Sequence, residues 1–209
     1  VGALRLLLPG RLTPWKGQAE AIAAAALFAG RAQEKAAAAG ASQKRVLQLV
    51  LAGDAQDRDG YVASLRQEID RRGVRDMIHL VGHCADMPAA YAWADAVLCP
   101  STRPEAFGRV AVEAAAMGRP AIAADHGGAR ETVIDGETGI LTPPGDVEAI
   151  AEAIADIAAM GVGGRAAMGA RAQTRARQVY SSAAMCAATL DVYRGLVDRG
   201  VGAGVVRGV

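Results

Sequence analysis

The chain has 209 residues, of which 52% are hydrophobic and 22% charged, so it can bury one sizeable core as a globular domain. Its formal charge is +1 and it has no dense lysine and arginine block with interleaved aromatics, which argues against nucleic acid as a partner. No apolar run reaches about 18 residues and no signal peptide is recognisable, so the sequence predicts neither a membrane span nor export.

Short apolar strands alternate with helical patterns along the chain, which is typical of parallel βαβ units. We expect strands at residues 4–8, 46–52, 77–81, 96–99 and 120–124, and a hairpin-like turn with a short strand at 136–141. Helices are expected at residues 18–39, 61–72, 87–93, 107–117, 147–159 and 182–197. The predicted fold class is therefore α/β, a Rossmann-like three-layer domain with a parallel sheet of about six strands.

A turn-rich loop, P-G-R-L-T-P-W-K-G, follows the first strand at residues 9–17. Ligands of open parallel sheets collect at the carboxyl ends of the strands, so Arg11 and Lys16 are candidate anion-binding cations next to Gly10. Because charged residues are mostly exposed, a pair of solvated surface cations is the alternative. Both side chains are expected to be exposed.

The fourth strand runs into a second loop and a helix, D-A-V-L-C-P-S-T-R-P-E-A-F-G-R-V-A-V-E-A-A-A-M-G, at residues 95–118. Glu105 lies in the loop, and Glu113 lies at the edge of the apolar stripe of the helix. The amides of Phe107, Gly108 and Arg109 open that helix and are suited to phosphate or hydroxyl oxygens.

A third loop, D-H-G-G, follows the fifth strand. Two adjacent glycines, Gly127 and Gly128, allow backbone to come close to a ligand, and the helix that begins there offers further free amides. His126 either lines the site or caps the turn. This loop is expected to close the site.

Several of these residues together resemble one enzyme family. P-S at 100–101, E-A-F-G at 105–108, E-A at 113–114, G-R-P at 118–120, G-G at 127–128, Glu131 and T-G at 138–139 are similar to the retaining group 1 glycosyltransferases (family 4), which have the GT-B fold. Glu105 and Glu113 occupy the positions of the family's Glu-x7-Glu pair. The resemblance covers nearly the whole chain.

The resemblance implies roles for individual residues. Arg11, Lys16 and Glu105 are implied as the catalytic set: the two cations bind the donor diphosphate, and Glu105 holds hydroxyls of the transferred sugar. Glu113 is implied to hold the ribose hydroxyls, so neither carboxylate is a nucleophile. The implied donor-binding residues are Gly10, Val81, Gly82, Ala106, Phe107, Gly108, Arg109, Val110, Glu113, His126, Gly127 and Gly128. Arg109 departs from the small apolar residue often found at its position.

No metal or other cofactor is expected, because the nucleotide-diphospho-sugar is the substrate and no ligand cluster is visible. Asp57-Arg58-Asp59 matches a D-x-D pattern that holds a metal in a different glycosyltransferase fold. It lies in a turn-rich link before a helix, where aspartate is favoured as a cap.

The chain begins at Val1 without a methionine, and every landmark belongs to the donor-binding half of the family. We therefore expect a donor-binding domain at residues 1–198, a flexible tail at 199–209, and an N-terminal acceptor domain outside this chain. Three cysteines without metal-ligand spacing favour a cytoplasmic protein. Peripheral association with the inner face of the membrane, through the absent domain, is left open.

The expected function is donor binding for a retaining, metal-independent sugar transfer in cell-surface polysaccharide or glycolipid synthesis. Two alternatives stay open: a non-catalytic nucleotide-binding module, since fold does not fix function, and a nucleotide-sugar epimerase of GT-B type.

Overall fold

The structure is a computed structural model, and it describes residues 2–40 and 46–203 of the chain. The strands are β1 (Leu4–Pro9), β2 (Leu47–Ala52), β3 (Ile78–Gly82), β4 (Ala96–Cys99), β5 (Ala121–Ala124) and β6 (Gly139–Thr142). The α-helices are α1 (Gln18–Ala38), α2 (Asp59–Arg71), α3 (Met87–Trp93), α4 (Arg109–Ala116), α5 (Ala129–Thr132), α6 (Val147–Ala159), α7 (Gly161–Val179) and α8 (Ser182–Ala203).

The six strands form one parallel sheet in the order β3-β2-β1-β4-β5-β6. The order reverses at β1, because the chain first adds β2 and β3 on one side and then places β4 on the other. Loops that leave β1 and β4 diverge at this switch point and open a crevice at the carboxyl edge of the sheet, where such folds bind ligands. The predicted α/β fold class is confirmed.

Helices cover both faces of the sheet and give three layers. Leu6 and Leu8 of β1 point to one face, where they join a core cluster with Ile22 of α1 and Ile154 of α6. Leu7 points to the other face and joins a second cluster that includes residues of α3 and α4. Because both faces are covered, β4 and β5 are continuous apolar runs, whereas β1, β2 and β3 each include one polar residue: Arg5, Gln48 and His79.

Two predicted features of these elements were wrong. The strand β6 pairs parallel to β5, because α5 lies between them as a crossover, so the two strands are not a hairpin. Helix α8 extends to Ala203 and residues 204–209 lie outside the described part, so the flexible tail expected at residues 199–209 stays a prediction. Helix α4 begins at Arg109, two residues later than predicted, because Gly108 takes a left-handed N-cap conformation. Within residues 2–40 and 46–203, no helix is long and apolar enough to cross a membrane.

Candidate functional site

The loops that follow β1 and β4 touch each other at the switch point. Gly17 has a φ of 77°, and a Cβ there would lie 2.0 Å from the carbonyl oxygen of Pro100. The amide of Thr102 also donates to the carbonyl of Trp15 at 2.7 Å. Only glycine permits this approach, so residue 17 fixes how the first cation-bearing loop lies on the second.

A cleft of about 710 Å³ lies at this edge of the sheet, between the loops after β1, β2, β3 and β4 and the first turns of α4. Its volume is in the range of small-molecule sites. Most of the predicted site residues line it: Gly10, Arg11, Lys16, Glu105, Ala106, Phe107, Gly108, Arg109, Val110 and Glu113.

Lys16 and Glu105 form an ion pair in the cleft. The Lys16 Nζ lies 2.8 Å from Glu105 Oε1, and the two side chains are 13% and 23% exposed. The hydroxyl of Ser101 donates to the same oxygen. Burial by itself would raise the pKa of Glu105, but the hydrogen bonds from Lys16 and Ser101 outweigh it, so the pKa lies below its ordinary value. The expectation that Lys16 is exposed was wrong, because this pairing draws its ammonium inward.

Two other cations of the cleft have no acidic partner in the described part of the chain. The side chains of Arg11 and Arg109 are exposed and form no ion pair there. Likewise, no acceptor within residues 2–40 and 46–203 takes the amide protons of residues 107–110. Unpaired guanidinium groups beside the free amides of a helix start favour an anionic ligand.

Glu113 is held at the edge of the cleft by Tyr91 of α3. The Tyr91 hydroxyl donates to Glu113 Oε2 at 2.7 Å, and Tyr91 is 3% exposed. Burial raises the pKa of Tyr91, and the hydrogen bond to the carboxylate raises it further. Tyr91 therefore stays a neutral donor that orients this carboxylate.

The loop after β5 supports the Glu105 loop from behind. Its His126 Nε2 lies 2.7 Å from the carbonyl oxygen of Ser101, and His126 lines a small cavity of about 20 Å³ together with Glu105. A Cβ at Gly127 would lie 2.5 Å from the Glu105 carbonyl oxygen, and one at Gly128 would lie 2.4 Å from the Phe107 carbonyl carbon. These glycines therefore admit neighbouring backbone, whereas the sequence predicted that they admit ligand.

Two of the implied donor-binding residues lie at the end of β3, outside the cleft lining. Val81 is 53% exposed, and neither it nor Gly82 lines the cleft. Their neighbours His83 and Cys84 do, two residues further along the same strand end. A role for Val81 and Gly82 in donor binding stays a prediction, and His83 and Cys84 show that the end of this strand does reach the cleft.

Other lining residues were missed by sequence reasoning: Trp15, Asp54, Gln56 and Met87. Asp54 and Gln56 follow β2, which lies next to β1, so their place at a strand end was the available signal. Asp57 and Asp59 of the D-x-D stretch are absent from the cleft lining; Asp59 is the first residue of α2. Among the described residues, no group of three or more His, Cys, Asp or Glu side chains could hold a metal.

Comparison with known proteins gives consistent matches. The family model described as "Glycosyl transferases group 1" matches residues 3–175. The D-inositol 3-phosphate glycosyltransferase of Jonesia denitrificans is 36% identical over 141 residues, which are 66% of this chain and 31% of that protein. The enzyme of the same name from Xylanimonas cellulosilytica is 39% identical over 150 residues, 70% of this chain and 35% of that protein. The chain thus spans about a third of these relatives.

Solved structures agree with this match. HepE from Anabaena, solved with UDP and glucose, is 34% identical with a TM-score of 0.73, over 85% of this chain and 44% of that one. The C-terminal domain of the group 1 glycosyl transferase LpcC from Francisella tularensis is 25% identical with a TM-score of 0.73, over 87% of this chain and 88% of that domain. The chain therefore belongs to the group 1 glycosyl transferases, and it corresponds to the C-terminal, Rossmann-like half of their GT-B fold.

Proposed function

We propose that this chain binds the nucleotide-diphospho-sugar donor of a retaining, metal-independent glycosyl transfer. One observation carries the proposal: a cleft at the switch point of the sheet combines unpaired arginines, free helix-start amides and an ordered carboxylate. The cations and amides suit a diphosphate, and the carboxylates suit hydroxyl groups.

Under this proposal, different residues of the cleft bind different parts of the donor. Arg11, Lys16 and the amides at the start of α4 stabilise the charge that develops on the departing diphosphate, which is the main catalytic contribution expected of such a site. Glu105 accepts hydrogen bonds from the sugar, and Glu113, oriented by Tyr91, accepts them from the ribose. A carboxylate already paired with Lys16 is a weak nucleophile, which supports a binding role for Glu105.

The class of donor follows from the relatives. HepE is 34% identical and was solved with UDP-glucose, whereas a GDP-mannose-dependent mannosyltransferase of Mycolicibacterium smegmatis is 43% identical over 93 residues, 38% of this chain. We infer a nucleoside-diphospho-hexose donor with an undetermined base, used in polysaccharide or glycolipid synthesis. A cytoplasmic location stays a prediction.

Calorimetric titration of the chain with UDP, GDP, ADP and their hexose conjugates tests the proposal. At least one diphosphate should bind, and Arg11→Ala should weaken it by roughly 10- to 100-fold, the scale of hydrogen bonds to charged groups, while the free nucleoside is unaffected. Arg66→Ala is the matched control, because Arg66 is an exposed arginine of α2 outside the cleft. Failure of all three diphosphates to bind at millimolar concentration would refute the proposal.

Two further properties need separate tests. Donor binding should survive EDTA, and strict dependence on magnesium or manganese would contradict a metal-independent site.

We also propose that transfer needs an acceptor-binding domain of the kind found in the longer relatives, because aligning two reactants supplies roughly 7–11 kcal/mol of barrier lowering. Transfer with retention should therefore require that domain, and NMR of the product's anomeric configuration would reveal inversion.

A further inference from the structure

The two oxygens of the Glu105 carboxylate have different surroundings. Oε1 lies 2.8 Å from the Lys16 Nζ in an ion pair and accepts a hydrogen bond from the Ser101 hydroxyl. Oε2 accepts no hydrogen bond from the residues that the structure describes, and the side chain is 23% exposed. The carboxylate is thus fixed through one oxygen and presents the other as an unused acceptor.

Ser101 is suited to fixing this orientation. It is 3% exposed, and its hydroxyl makes its hydrogen bond to Glu105. A hydrogen bond from a buried hydroxyl to a charged acceptor is strong, and water does not readily replace it. Lys16 alone would leave the carboxylate free to offer either oxygen, because an ammonium is a point charge without directional preference. Ser101 therefore sets the orientation of the Glu105 carboxylate.

His126 holds Ser101 from the neighbouring loop. A carbonyl oxygen only accepts, so the 2.7 Å contact requires that His126 Nε2 carries the proton and donates to Ser101. The amide of Gly128 donates to the Glu105 carbonyl at 2.8 Å. The β5–α5 loop therefore fixes both ends of the segment from Ser101 to Glu105.

We propose that Ser101 and His126 are positioning residues that aim Oε2 of Glu105 at a hydroxyl of the donor sugar. This inference rests on the proposed function and deepens it, because it assigns the discrimination between a diphospho-sugar and a bare diphosphate to two residues that do not line the cleft. If the two residues had only a structural role, substituting them would weaken the binding of both ligands equally. If they position Glu105, substitution weakens the binding of the diphospho-sugar selectively.

The test compares paired ligands on the same chain. Calorimetry with UDP and UDP-glucose, GDP and GDP-mannose, and ADP and ADP-glucose first identifies the pair that the wild type binds. Ser101→Ala should weaken the diphospho-sugar roughly tenfold, the scale of one hydrogen bond to a charged group, and the diphosphate less than about twofold. Ser64→Ala is the matched control, because the Ser64 hydroxyl bonds only to the Tyr61 carbonyl on α2.

Variants of His126 supply a rescue. His126→Leu should give the same selective loss, whereas His126→Gln keeps an N–H donor and should restore most of the discrimination. Equal losses for both members of a ligand pair, or no loss in Ser101→Ala, would overturn the positioning role.

A ligand-free readout separates this inference from the proposed function. Carbon-13 NMR should show that the pKa of Glu105 is higher in Ser101→Ala than in the wild type, because a donor to the ionised form is removed. An unchanged pKa would refute the contact even if the ligands bind. Absence of diphosphate binding together with a raised pKa would refute the proposed function and the sugar-directed role, but not the orientation of Glu105.

Discussion

The ion pair between Lys16 and Glu105 makes a prediction about stability as well as binding. Its atoms are 2.8 Å apart, so the Coulomb attraction is roughly 6 kcal/mol at an effective dielectric constant of about 20. Desolvation of two largely covered side chains offsets most of this attraction. We expect a net coupling of about 1–2 kcal/mol, above that of exposed pairs.

A double-mutant cycle measures that coupling. Lys16→Met keeps the aliphatic stem and removes the charge, and Glu105→Gln keeps the volume of the carboxylate. Each single change should lower the free energy of unfolding by about 1–2 kcal/mol, and the double change should cost less than the sum. Urea unfolding followed by circular dichroism gives the three differences. Lys35→Met is the control, since Lys35 is an exposed lysine of α1.

If the double change costs the sum of the two single changes to within about 0.3 kcal/mol, the reasoning is refuted, because the two side chains would then not interact in solution. In that case Lys16 would be an exposed cation, as the sequence alone predicted. The same variants should also change ligand binding. Lys16→Met should weaken binding of the diphosphate, whereas Glu105→Gln should weaken binding of the diphospho-sugar only.

Three other outcomes follow from the site. Gly17→Ala should destabilise the chain by at least about 2 kcal/mol in thermal or urea unfolding, because a Cβ would strike the Pro100 carbonyl and the φ is 77°. Tyr91→Phe should cost about 1–2 kcal/mol and weaken nucleoside binding several-fold by calorimetry, because Glu113 loses its buried donor. The folded-state pKa of Glu105 is depressed, so its stabilising contribution is complete above the unfolded pKa and lost as pH falls through the folded one. The stability difference between wild type and Glu105→Gln should therefore be constant above about pH 5 and shrink below about pH 4.

The sequence predicted the framework of the fold well because its signals are local. Apolar runs of strand length and turn residues placed all six strands within a few residues, and the helices predicted from residues 87 and 147 begin there, with Asp86 and Asp146 as their N-caps. The hairpin-like turn predicted before the sixth strand was wrong, because the four-residue helix α5 is too short to give a periodic pattern.

The site was predicted by position at strand ends, and that method has a limit. It identified the cleft residues after β1 and β4, but it could not predict that Lys16 turns inward to Glu105, because the two are 89 positions apart and meet only through the Gly17–Pro100 contact. It also could not predict that Gly127 admits the Glu105 backbone, since a glycine that admits backbone and one that admits a ligand give the same sequence signal.

Pairing Lys16 with Glu105 does not remove Lys16 from the diphosphate. An ammonium has three N–H donors, and the structure uses one of them for Oε1 of Glu105. The unpaired Arg11 lines the same cleft, so the cleft keeps a positive charge that Glu105 does not neutralise. Under the proposed assignment, Lys16 lies where the sugar and the phosphates of the donor join. Charge that develops on the leaving phosphate would then strengthen its contact with Lys16, while Ser101 continues to hold the carboxylate.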